Sequence, residues 1–87
     1  MEEIKEWDEN VDISWWKVGR TKLNKVIRKY NKWVRKHTED EVKTTKLLVK
    51  IEKHLKKDYC NNDGGSAYKE ELLKMKENVK KCFNLFI

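Results

Sequence analysis

Apolar residues recur every three or four positions along three stretches of this chain, and that spacing predicts three helices. In the first stretch Trp16, Gly19, Leu23, Val26, Ile27, Tyr30, Trp33, Val34 and His37 follow one another at helical steps. They predict a helix over residues 14–37 with Ser14 as its N-cap. Gly19 falls on the inward face, where a missing side chain lets a neighbouring helix come close. In the second stretch the inward set is Thr44, Leu47, Leu48, Ile51, Leu55 and Tyr59. This helix is predicted over 38–59, with Thr38 and Glu41 spaced as a capping box and Lys56 and Lys57 near its negative end. In the third, Tyr68, Leu72, Met75, Val79, Cys82, Phe83 and Phe86 mark a helix over 67–86 after Ser66 as N-cap. The intervening "CNNDGGS", residues 60–66, is rich in turn formers and reads as a loop. Proline, the strongest helix breaker, is absent.

Three amphipathic helices with short connections predict an all-α fold, an antiparallel three-helix bundle or a helical hairpin plus one helix. A length of 87 residues suits one domain. Residues 1–13 stand apart as an acidic N-terminal arm. Its Ile4, Trp7, Val11 and Ile13 suit either a short helix or an extended arm laid across the bundle.

Charge changes this picture more than composition does. The net charge is +6, and it is unevenly spread. Residues 1–14 carry six acids and one lysine, whereas residues 15–37 carry nine cations and no acid. The first helix therefore has one apolar face and a face that is entirely positive. Projected at about 100° per residue, Lys17, Lys25, Arg28, Lys32, Arg35 and Lys36 gather opposite the apolar sector. Cations on an exposed helix are ordinarily balanced by acids four residues away. Here the neighbours are like charges, which makes the face a candidate anion-binding surface. The alternative is a solvated face with the acidic arm folded back on it.

The tryptophans are the second unusual feature. Trp16 and Trp33 read as core. Trp15 cannot face the same way as Trp16, and an exposed Trp beside cations has the composition of a binding hot spot. Trp15, with Trp7, is the aromatic candidate for a partner site.

Other chemistry finds little footing. His37, His54, Cys60 and Cys82 show no close metal-ligand spacing, so no metal site is expected. No nucleophile stands in a recognisable catalytic motif, and a bundle this small has little room for a cleft, so no enzyme and no cofactor is expected. The acidic start argues against a secretory or transit leader. No apolar run approaches the roughly 18 residues of a membrane span. Two cysteines suit reduced thiols in the cytoplasm.

The runs "WWKVGRTKLNKVIRKYNKW" and "DEVKTTKLLVKIEKHLKKDY" resemble small uncharacterised tailed-bacteriophage accessory proteins. These pair a tryptophan-rich helix with a second helix of the form "LL…I…DY". The matching positions are Leu23, Ile27, Tyr30 and Trp33, then Leu47, Leu48, Ile51, Asp58 and Tyr59. That family has no established activity and transfers no site residue. What the resemblance implies is a protein that acts by occupancy in the host cytoplasm, as an inhibitor or adaptor of a host or defence component of the CRISPR type. The expected partner is an acidic protein surface. Sequence-nonspecific binding of nucleic acid or a nucleotide through the first helix is the second expectation, and a structural homo-oligomer subunit is the third.

Overall fold

The structure is a computed structural model and describes residues 2–61 and 66–83. Its elements are α1 (Ser14–Lys36), α2 (Glu41–Leu55), the short α3 (Asp58–Asn61) and α4 (Ser66–Phe83). There is no strand among the described residues, and the all-α expectation holds. α2 runs back along α1, and α4 returns in the direction of α1, so Tyr68 at the start of α4 meets Trp16 and Asn78 further on meets Tyr30. The bundle is elongated, 43 × 21 × 16 Å.

The core is built from the predicted stripes. Leu23, Val26, Ile27, Tyr30 and Trp33 of α1 meet Leu47 and Ile51 of α2 and Tyr68, Leu72, Met75 and Val79 of α4. Burying such side chains is the main force holding the helices together, at about 1.5–3 kcal/mol for each large one. Polar side-chain atoms inside are paired, except Arg20 Nε, which is buried without a hydrogen-bond partner among the described residues. The Trp33 indole donates to Thr44 Oγ1 at 2.8 Å, and that hydroxyl donates to the Asp40 carbonyl at 2.7 Å, which ties the end of α1 to the start of α2. Gly19 is buried, and a Cβ there would stand 2.9 Å from Tyr68 Cε2. The close approach predicted for this glycine is therefore real, and Tyr68 is what approaches.

Several local expectations are corrected. The N-cap of α1 is Ile13, with Ser14 already helical and no side-chain cap bond. The cap of α2 is Asp40, whose carboxylate accepts from the Lys43 N–H at 3.1 Å. Thr38 instead lies in the turn that joins the helices. α2 stops at Leu55 rather than running to 59, because the N–H groups of Lys56 and Lys57 fold onto the carbonyls of Lys53 and His54. That tight turn brings Tyr59 back to hydrogen-bond His54 Nδ1, and the Cys60 thiol to the His54 carbonyl. Trp16, expected inside, is 39% exposed. The seam beside Tyr68 is filled by Trp7 instead, with ring centroids 4.9 Å apart. The loop predicted over 60–66 is shortened at both ends, since Cys60 and Asn61 belong to α3 and Ser66 is already the first residue of α4; residues 62–65 and the expected core contributions of the Phe83 side chain and of Phe86 lie outside what the structure describes.

Candidate functional site: a lysine groove and an arm that claims the arginines

Residues 2–13 form an extended arm that runs antiparallel along α1. Two asparagines of α1 hold it. Asn31 accepts from the Ile4 N–H and donates to the Ile4 carbonyl, both at 2.8 Å. Asn24 does the same for Trp7, again at 2.8 Å each way. Each carboxamide thus pairs with one residue's backbone as a neighbouring strand would. The registers match because seven helical residues and three extended residues both span about 10 Å. Ile4 and Trp7 point their apolar side chains at the core cluster while the arm's acids face out along α1.

Those acids meet the arginines. Arg28 Nε lies 2.7 Å from Glu6, and its Nη2 lies 3.5 Å from Glu9. Arg35 Nε lies 2.8 Å from Glu3. Arg20 donates to the Asp8 carbonyl at 2.8 Å and lies over the Trp7 ring, 5.6 Å from its centroid. All three arginines of the chain are therefore engaged by the arm. Glu9 is also held by hydrogen bonds from Thr21 and Asn24, which, with Arg28 and Lys17 nearby, lower its carboxyl below the usual range.

The predicted basic face consequently divides. Lys17, Arg28 and Arg35 lie on the side of α1 that receives the arm. Lys25, Lys32 and Lys36 lie further round the helix, by roughly 70° at 3.6 residues per turn. There they join Lys22 and Lys29, giving lysines at steps of three and four from 22 to 36. α2 carries a matching set, Lys43, Lys46, Lys50 and Lys53, and Lys57 in the turn after it continues the same steps. The two stripes flank the groove between α1 and α2. At one end a hollow of about 200 Å³ has Trp33, Leu47 and His37 among its walls, with Lys29, Lys32, Lys43, Lys46 and Lys50 around them. The adjoining hollow is lined by Lys29, Lys46, Val49, Lys50, Lys53, His54 and Lys57. Neither hollow is lined by a carboxylate among the described residues. Lys22, Lys25, Lys29, Lys32, Lys46 and Lys50 form no ion pair among the described residues.

The groove's charges feel one another. Burial first, then the charges of Lys29, Lys25 and Lys57, lowers the Lys50 ammonium below the usual lysine range. His54 beneath them is pushed down to about 4, by burial first and then by Lys57, Lys50, Lys22 and Lys25. The imidazole is therefore neutral at pH 7 and takes the Tyr59 hydroxyl as its partner. Burial likewise raises the Tyr59 phenol and the Cys60 thiol, so neither is primed as a nucleophile.

Of the two aromatic candidates, Trp7 is half-buried between Arg20 and Tyr68 and serves the fold. Trp15 is 66% exposed at the start of α1. No group of three or more His, Cys, Asp or Glu side chains gathers as a metal site among the described residues. No described helix is long and apolar enough to cross a membrane.

Sequence reasoning missed Asn24 and Asn31, and it missed the lysines of α2. Asparagine is a poor residue inside a helix because its side chain competes for backbone groups. Two of them seven residues apart, at the margin of an apolar stripe, were the available signal. The lysine spacing in α2 is equally visible in the sequence, but residues 38–58 hold six lysines against five acids, so their net charge hides it. Comparison of the chain with protein-family models, with curated proteins and with solved structures finds no match.

Proposed function

We propose that this protein acts by stoichiometric occupancy, and that its contact surface is the lysine groove between α1 and α2. The partner this surface suits presents an extended run of negative charge. The observation that carries the reading is the unequal treatment of the cations. The arm neutralises Arg28 and Arg35, whereas the two lysine stripes face each other across the groove without a lining carboxylate. Like charges held together raise the energy of the isolated protein, and a bound polyanion relieves that repulsion while releasing its own counterions. The resemblance to phage accessory proteins supplies one setting for such occupancy, the blocking or redirecting of a host or defence component.

The test is binding of a polyanion to the full chain over a range of salt concentrations. Log affinity should fall linearly with log salt, and the triple variant Lys29→Glu/Lys32→Glu/Lys46→Glu should weaken binding and flatten the slope by about one per lysine removed. Undiminished binding by the folded triple variant would remove the groove from consideration.

A further inference from the structure

The groove reading leaves the anion's identity open, and three features near it narrow the choice. The first is the residue that heads the α1 stripe. Steps of three and four carry the stripe back from Lys22 to Val18 and Trp15, both of which are exposed. Trp15, Val18, Lys22 and Tyr59 share the wall of one hollow of about 200 Å³, where Asp58 is the one carboxylate among the lining residues. Lys22 Nζ itself sits 5.8 Å from the Tyr59 ring centroid. An open indole thus stands at the end of a cationic track rather than on an unrelated surface.

The second feature is the choice of cation. Arginine is the side chain suited to fixed, bidentate pairing with carboxylates and phosphates alike, and this chain directs its arginines at the glutamates and backbone of its own arm. The groove is lined by lysine, a compact point charge that suits a phosphate backbone without demanding a fixed approach. The third feature is length. From residue 15 to residue 36 the stripe runs about 31 Å at 1.5 Å per residue. That is the reach of a strand of about five nucleotides, within the range of single-strand sites.

Resting on the anion-groove reading above, we propose that the groove binds single-stranded nucleic acid, its backbone following the lysine stripes and one base stacking on Trp15. A duplex offers the same phosphates but hides its base faces. A bare polyphosphate offers charge with nothing to stack, and an acidic protein offers carboxylates.

The experiment titrates the full chain with fluorescein-labelled oligothymidylate at low salt. The competitors are a duplex, linear polyphosphate of equal phosphate number, polyglutamate, and phosphatidylserine vesicles. Oligothymidylate should bind about tenfold or more tighter than polyphosphate, the effect of one stacked base. Trp15→Ala should erase that difference and leave polyphosphate binding unchanged, while Lys29→Glu/Lys46→Glu weakens both. Trp15 is exposed, so its truncation spares the core, and an unchanged thermal melt verifies this. Equal affinity for oligothymidylate and polyphosphate, indifferent to Trp15→Ala, overturns the single-strand assignment but leaves the anion groove standing. Preference for the duplex, polyglutamate or vesicles also overturns the assignment. Binding of none of these polyanions overturns both readings.

Discussion

Asn24 and Asn31 stand two turns apart on α1, and each closes a two-point hydrogen bond on the backbone of one arm residue, Trp7 and Ile4 respectively. This pairing makes the arm part of the fold. It also determines which cations of α1 remain available, because the register it sets places Glu3, Glu6 and Glu9 beside Arg35 and Arg28.

Replacing Asn24 should therefore do more harm than its small polar side chain suggests. It is fully buried, and Asn24→Ala strands both the N–H and the carbonyl of Trp7. An unsatisfied buried group costs about 1–3 kcal/mol, so a loss of roughly 2 kcal/mol in urea-induced unfolding is expected. Asn24→Asp should lose nearly as much, since a carboxylate cannot donate to the Trp7 carbonyl and would meet Glu9. A neutral result for both variants would show that the clamp contributes nothing.

Gly19→Ala sets two effects against each other. Alanine gains about 1 kcal/mol of helix propensity over glycine. The added methyl would lie 2.9 Å from Tyr68 Cε2, on a ring already packed against Trp7 and Tyr59. Overpacking of this kind costs about 1–3 kcal/mol, so a net destabilisation of about 1 kcal/mol is expected. Thermal unfolding decides it, and a raised midpoint would mean that the Tyr68 ring yields freely.

Acidification should weaken the fold through His54. Below pH 6.5 the unfolded chain's imidazole takes up a proton that the folded chain refuses until about pH 4. The unfolded state binds more protons in that window, so stability is full above it and falls as the pH drops through it. Over the whole window the scale is about 3 kcal/mol, at 1.36 kcal/mol for each tenfold change. Denaturation midpoints from pH 7.5 to 4.5 should fall more steeply for the natural chain than for His54→Gln. Parallel profiles would contradict the assignment.

Charge reversal separates the arm from the groove. Arg28→Glu/Arg35→Glu places like charges beside Glu3, Glu6 and Glu9 and should loosen the arm. The pairs are exposed, so each contributes only about 0.2–1 kcal/mol, and the bundle should remain folded. Polyanion binding should fall far less than in Lys29→Glu/Lys46→Glu. The opposite order in a salt titration would return the contact surface to the arginine side of α1.

Much of this protein is determined by local pattern. The stripes at Leu23–Trp33, Thr44–Ile51 and Tyr68–Val79 dictate three helices and name most of the core, because apolar side chains at helical steps can be buried in no other arrangement of one chain this short. Gly19 belongs to the same set, since a bare position on an inward face anticipates a close neighbour. The helix ends are less legible, because Ser14, Thr38 and Asp40 are all competent caps and the tertiary turn selects among them. What only the tertiary structure decided is the fate of each cation. Helical projection places Arg28 and Lys25 on the same basic face, but it carries no information about which distant segment lies beside each. Two asparagines seven residues apart bring the arm to one side, and the return of α2 with the turn after it brings five more lysines to the other. Charge acts through space, so residues equivalent on a helical wheel end as internal ion pairs or as an open groove according to what the fold sets against them.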